Sequence, residues 1–259
     1  MKTASITQTG SIREQNQDYL LIDSQINFAI IADGSGPAGA TAAETLARSI
    51  WERIREIAPV TAGDENETRL TEAIAIARNN CETGGFANNN VSTAVLWINR
   101  GIVAVAADGR CAFSASASDW QLQTTQVLTL PVQPGQSILL CSEGIAFSPA
   151  KLSPDFSPLR VAEEQQSEET LSARLKAFVG SVANEYDGDD RSAILVYLEK
   201  ADITAGEPHE LELFEHINKE YSFPLWAPVA VAAGAAASGL YALLKIRKHL
   251  PKLNFYRHS

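Results

Sequence analysis

The chain of 259 residues carries 21 Lys and Arg against 31 Asp and Glu, a formal charge of -10, and 45% of it is hydrophobic. That apolar share supports the core of one domain of about 200 residues plus an appendage, and it excludes disorder as the main theme. The acid excess excludes a surface built to neutralise nucleic-acid phosphates and suits cation binding instead.

The polar first residues lack the apolar core of a secretory signal, so they are expected to belong to the folded domain. Short apolar runs ending in Gly, Asp or Asn predict strands over 19–22, 28–32, 93–98, 102–107, 137–141 and 193–198. Apolar residues recurring at three and four predict helices over 39–57, 69–81 and 170–186. Two strands, two helices, several strands, a helix and a last strand do not alternate regularly. That order predicts an α+β layered fold with largely antiparallel sheets. Trp51, Trp97 and Trp120 read as packing residues. Cys81, Cys111 and Cys141 have no CxxC spacing, and two of them, Cys111 and Cys141, lie inside apolar runs, which reads as reduced core thiols in a cytosol-like compartment.

Residues 148–170 are rich in Ser, Pro and acid and read as a solvated loop, and the domain is expected to span 1–200. An acidic linker follows over 201–222. Residues 223–244 contain no formal charge. At 1.5 Å per residue their 22 positions make a helix of about 33 Å, enough to cross a hydrocarbon core of about 30 Å. Trp226 and Tyr241 sit near its ends, as interfacial aromatics do. A buried Ala- and Gly-rich helix, or one lying on an anionic surface, is the alternative. The tail, 245–259, holds five Lys and Arg and no acid. Charge counting puts that tail in the cytosol and the domain outside. With no export signal ahead of the domain, a single-pass, tail-anchored arrangement with a cytoplasmic domain is the expectation.

His209, His216, His249 and His258 all follow residue 200, so a His-based triad or a His-rich zinc site inside the domain is excluded by inventory. Carboxylates remain. Asp18, Asp33, Asp108, Glu143 and the pair Asp189-Asp190 each stand where an apolar strand meets a turn. Taken singly, each reads as an ordinary turn residue. Strands laid side by side would converge them on one edge, and hard oxygen donors without imidazole or thiolate suit Mg²⁺ or Mn²⁺, with two ions able to share a carboxylate. Arg110 and Arg191 flank these acids and read equally as orienting groups or as exposed loop charges.

The set, in order, resembles the PP2C (PPM) family of metal-dependent Ser/Thr protein phosphatases. GSIREQNQD is similar to that family's Gly-x-x-Arg-x-x-Asn-Glu-Asp motif, FAIIADGSG to its strand ending in Asp-Gly-x-Gly, and STAVLWINRGIVAVAADGR to its Thr-rich strand followed by Gly-Asp-Ser-Arg. PGQSILLCSEGI resembles the stretch ending in Ser-Asp-Gly, and DDRSAILV the closing Asp-Asn-x-Thr strand. The resemblance covers residues 10 to 198. It implies an α-β-β-α sandwich with a dinuclear Mg²⁺ or Mn²⁺ centre. Asp33 would bridge both ions, the Gly34 carbonyl would bind one, and Glu143 and Asp189 would complete the shell of the other. Asp18 would hold metal-bound waters from the second shell, and Arg13 would pair with the substrate phosphate.

Against the family pattern, Gln17 stands for the usual Glu and Glu143 for the usual Asp. Residues 35–39 replace a longer loop containing His. Phe147 occupies the place of an Asp that serves a third metal, for which Asp108 would be another ligand. The interval from Asp108 to Glu143 is short, which implies a reduced substrate-side flap. Two readings follow. One is a membrane-tethered hydrolase acting on phosphoserine and phosphothreonine in proteins, paired with a Ser/Thr kinase. The other is a pseudophosphatase that keeps the fold as a binding or scaffolding module.

Overall fold

The computed structural model describes residues 1–86, 90–116, 123–130, 132–146, 156, 159, 167–183 and 188–203. Trp120, Phe147, most of 148–170, the expected linker after 203, the expected span 223–244 and the tail 245–259 lie outside them. All described residues belong to one unit, Met1–Glu207. Among the described residues no helix is long and apolar enough to cross a membrane.

Two sheets form, and every strand pairing is antiparallel. One runs in the order β1 (Lys2–Gln8), β9 (Arg191–Tyr197), β8 (Ser137–Cys141), β6 (Ala112–Ala115). The other runs β2 (Asp18–Asp23), β3 (Phe28–Ser35), β4 (Asn90–Asn99), β5 (Ile102–Ala107), β7 (Thr125–Leu130). Alternate side chains of a strand leave opposite faces, and here both faces are covered. Ile194 and Val196 of β9 join Ile31 of β3, Leu96 of β4 and Ile138 of β8 in a layer between the sheets. Ala193 and Leu195 point the other way, onto Leu171, Leu175 and Phe178 of α4 (Glu168–Ala183). Likewise Phe28, Ile30 and Trp97 pack under Leu46, Ile50 and Ile54 of α1 (Gly39–Ile57) and Leu70 of α2 (Asn66–Cys81). Four layers in the order α-β-β-α result, as expected, and burial on two faces is why these strands read as unbroken apolar runs.

The expected strands and helices form, with ends moved by a few residues. Helix α2 begins at Asn66 rather than 69, because the buried Asn66 amide donates to the carbonyls of Asn99 (3.1 Å) and Ile102 (3.0 Å) and so pins the helix start to the β4–β5 connection. Strands β1, β6 and β7 were not legible in the sequence. β1 and β7 are edge strands with one face half exposed, and β6 is four residues long. Trp97 is fully buried, and Trp51 is half-buried with its indole N–H on Asp23 at 2.8 Å. Cys111 and Cys141 are buried and free, and burial pushes both thiols up, Cys141 to about 12.

Candidate metal centre

The register of β2 on β3 sets Asp18 directly opposite Asp33. In the other sheet, β8 runs into Ser142 and Glu143 while β9 starts just after Asp189 and Asp190. These ends face each other across the sandwich: the Glu143 backbone N–H donates to Asp33 Oδ2 at 3.1 Å. Short helix α3 (Glu143–Ala146) begins at that residue.

Asp18 and Asp33 are buried carboxylates whose charge is poorly satisfied. Both carboxylate oxygens of Asp18 are buried without a hydrogen bond of ordinary geometry. Burial first, and then the charge of Asp33, push the Asp18 carboxyl up to about 7; the nearby Ser142 and Ser192 hydroxyls pull it down in part. Asp33 is pushed up to about 6, mainly by burial, while the Glu143 N–H and the Arg110 charge oppose the rise. Two neighbouring carboxylates shut away from water share only the partial counter-charge of Arg110, which reaches Asp33 and not Asp18. Hard oxygen donors in that condition fit a divalent cation, and the Gly34 carbonyl lies next along β3. Gly34 is needed for close approach: a Cβ there would stand 2.1 Å from the Gly39 carbonyl oxygen.

The remaining acids already have cationic partners. Arg13 Nε (3.0 Å) and Nη2 (2.6 Å) both donate to Asp189 Oδ1, and that bond holds the guanidinium above its ordinary value. Arg110 Nη1 donates to Glu143 Oε2. Its Nη2 lies 4.0 Å from Asp33 Oδ1 and is buried without a hydrogen bond. Asp108 sits apart in role: Oδ1 accepts from the Thr93 N–H (2.6 Å) and hydroxyl (3.2 Å), and Oδ2 accepts from Arg78. Both of its oxygens are engaged in shaping the turn that carries Arg110. Among the described residues no group of three or more His, Cys, Asp or Glu side chains is gathered closely enough to hold an ion by itself.

Sequence reasoning singled out Arg13, Asp18, Asp33, Gly34, Glu143 and Asp189, and these do meet at one end of the sandwich. It named Asp190 only as one of the acids at strand ends, and it gave no role to Arg78. Asp190, 3% exposed, accepts from the Gly10 N–H (2.9 Å) through Oδ1 and from the Gln17 N–H (2.7 Å) through Oδ2. It thereby ties the loop bearing Arg13 to the start of β9. Gln17, an uncharged substitute in the family pattern, accepts from Arg13 Nη1 (3.1 Å), donates to the Gly36 carbonyl (2.9 Å) and receives the Gly34 N–H on its own carbonyl (3.2 Å). The repeated acid in Gly-Asp-Asp was the available signal for Asp190. Beside Arg110 opens a cavity of about 520 Å³ walled by Ala42, Leu46, Arg78, Phe86 and Val91.

No family model matches the sequence, and no curated protein matches it. Solved structures do resemble the fold. PppA, described as a key regulatory component of T6SS in Pseudomonas aeruginosa, is 16% identical with a TM-score of 0.60, over 76% of this chain and 97% of that one. The S. agalactiae serine/threonine phosphatase is 14% identical with a TM-score of 0.60, over 76% and 99%. The catalytic domain of the serine/threonine protein phosphatase PstP, solved with two manganese ions, is 12% identical with a TM-score of 0.57, over 76% and 98%. At these identities the likeness is one of fold: the described residues adopt the two-sheet architecture of PP2C-type Ser/Thr phosphatases.

Proposed function

We propose that this domain hydrolyses phosphate monoesters on Ser and Thr side chains of proteins, using Mg²⁺ or Mn²⁺ held at Asp33. The observation that carries this reading is the buried Asp18 carboxylate, without a hydrogen-bond partner of ordinary geometry and set directly opposite the buried Asp33, on a fold shared with phosphatases of which one was solved with manganese. Divalent cations at such a pair acidify a water and neutralise phosphoryl oxygens. In this reading Asp33 and the Gly34 carbonyl hold the ion, Asp18 orients water around it, and Glu143 and Asp189 lend negative charge at its flank. Arg13 grips the phosphoryl group; its bonds to Asp189 and Gln17 keep the guanidinium aimed into the centre before substrate arrives. Residues 201–203 close the folded domain, where Asp202 pairs with the Met1 amino group; we further propose that the rest of the expected linker, 204–222, acts as a linker and 223–244 as a membrane span, with the domain on the cytoplasmic side. Tethering of this kind raises the concentration of the enzyme near phosphoproteins, and their kinase, at the same membrane.

The test is the full chain with Mn²⁺ and a phosphothreonine peptide, set beside Asp33→Asn. Hydrolysis should fall at least about a hundredfold in the variant, the scale of losing electrostatic stabilisation in the transition state. Equal rates, with no Mn²⁺ uptake by either protein in titration calorimetry, would defeat the proposal. A scaffold that keeps the fold without chemistry is the second reading. The arginine pairing of Glu143 and Asp189 favours it, because those acids are neutralised without any metal.

A further inference from the structure

The cavity of about 520 Å³ beside the metal centre shares one wall with it. That wall is the turn between β5 and β6, where the Arg110 backbone N–H donates to Ser92 Oγ at 3.0 Å and both residues line the cavity. The Arg110 guanidinium is bonded to Glu143 and lies 4.0 Å from Asp33, so its charge is matched by the acids of the centre. Arg78 is engaged as well: Nη1 donates to the Val91 carbonyl at 3.2 Å and Nη2 to Asp108. Glu82, exposed on the same lining, is negative. Among the described residues of the lining no cation is left over for a second phosphate or an acidic side chain. Apolar side chains make up most of what remains: Ala42 and Leu46 of α1, Cys81 at the end of α2, Phe86, and Val91 of β4. Cys81, Phe86 and Val91 are only half-buried and so present free surface to an incoming group.

We propose that this cavity selects the substrate: it takes one bulky apolar side chain, such as Leu, Met or Phe, that lies within about two residues of the phosphorylated Ser or Thr. The inference rests on the phosphatase reading above and narrows its substrate class. An extended chain advances about 3.3–3.6 Å per residue, so a residue one or two places from a phosphoester held at Asp33 comes within reach of the wall that Arg110 gives to both sites. The volume falls among those of pockets that take ligand groups, about 300–1,000 Å³. Charge decides the chemistry of the occupant. An anionic group there would meet Glu82 and Asp108 with both guanidiniums already engaged, whereas an apolar group gains by leaving water for Leu46, Phe86 and Val91. Contact of that kind is the same in the ground state and the transition state, so the cavity is expected to act on KM and leave kcat alone.

The experiment uses the full chain in detergent with Mn²⁺ and phosphothreonine peptides that carry Leu or Gly, one position at a time, at the two places on each side of the phosphoresidue. Leu at one of these places should lower KM about tenfold or more, the low end of what a hydrophobic pocket discriminates, with kcat unchanged. Cys81 reports occupancy without turnover, because the other two cysteines, Cys111 and Cys141, are buried. The preferred Leu peptide, made with a non-hydrolysable phosphonate, should slow alkylation of Cys81 by N-ethylmaleimide about tenfold at ten times its Kd. The alkylated protein should lose the preference for Leu and still hydrolyse p-nitrophenyl phosphate, which has no flanking residue, at the unmodified rate. Phe86→Ala should weaken the preference in the same direction. Equal KM for all Leu and Gly peptides, or no protection of Cys81, overturns the role of the cavity while hydrolysis of the peptides keeps the phosphatase reading, and neither result needs a variant to fold. No hydrolysis of any peptide overturns both.

Discussion

Replacing Asp18 by Asn isolates the energetic cost of the centre. Its carboxyl is raised from 3.8 to about 7, chiefly by burial and then by Asp33. A group raised on folding favours the folded state at low pH, and that contribution is lost as pH climbs through the folded value. At about 1.4 kcal/mol per pH unit, the ionised Asp18 destabilises the metal-free fold by at most about 4 kcal/mol near pH 8. Part of that is repulsion shared with Asp33, which the variant also relieves there, so a gain of about 2 kcal/mol is expected. For a domain of this size it corresponds to a rise in Tm of about 4–8 °C. Differential scanning calorimetry in EDTA should show the variant more stable than wild type at pH 8 and the difference shrinking toward pH 4.5, where Asp18 is neutral. Saturating Mn²⁺ should narrow the difference or reverse it, since an ion at a hundred times its Kd adds about 2.7 kcal/mol to wild type and less to a variant whose weaker site leaves it less saturated. If the two proteins unfold together in EDTA at pH 8, Asp18 is not an uncompensated buried charge and the argument for a cation at this pair is refuted.

Gly109→Ala should lower stability by about 2–3 kcal/mol, from the left-handed backbone and the displaced Ser92 bond, because φ is +58 and a Cβ would stand 2.4 Å from Ser92 Oγ. A shift in Tm below about 2 °C by circular dichroism would show that the turn holding Arg110 is not rigid. Removing 223–259 should release the protein from the membrane fraction on cell fractionation, whereas retention there would refute the proposed anchor.

Much of the core was legible because two-sided burial leaves long apolar runs such as Phe28 to Ala32 and Thr93 to Ile98, which admit few alternatives to a strand. β1 was not, since Lys2, Ser5 and Gln8 share its faces and only pairing with β9 makes it a strand. The identities of the acids were equally visible: carboxylates at strand ends, with every histidine after residue 200, suit hard cations and exclude a His-based site. What the chain order could not contain was which charge faces which. Asp18 meets Asp33 through the β2–β3 register, while Arg13 reaches Asp189 and Arg110 reaches Glu143 across 176 and 33 residues of chain. Composition and local pattern determine which groups are available and which segments must be buried, because hydrophobic burial and backbone preference act over a few residues. Whether an acid ends up bare, clamped by a turn or neutralised by an arginine is decided only when the two sheets close on each other, because electrostatic pairing depends on distances that exist in the folded chain alone.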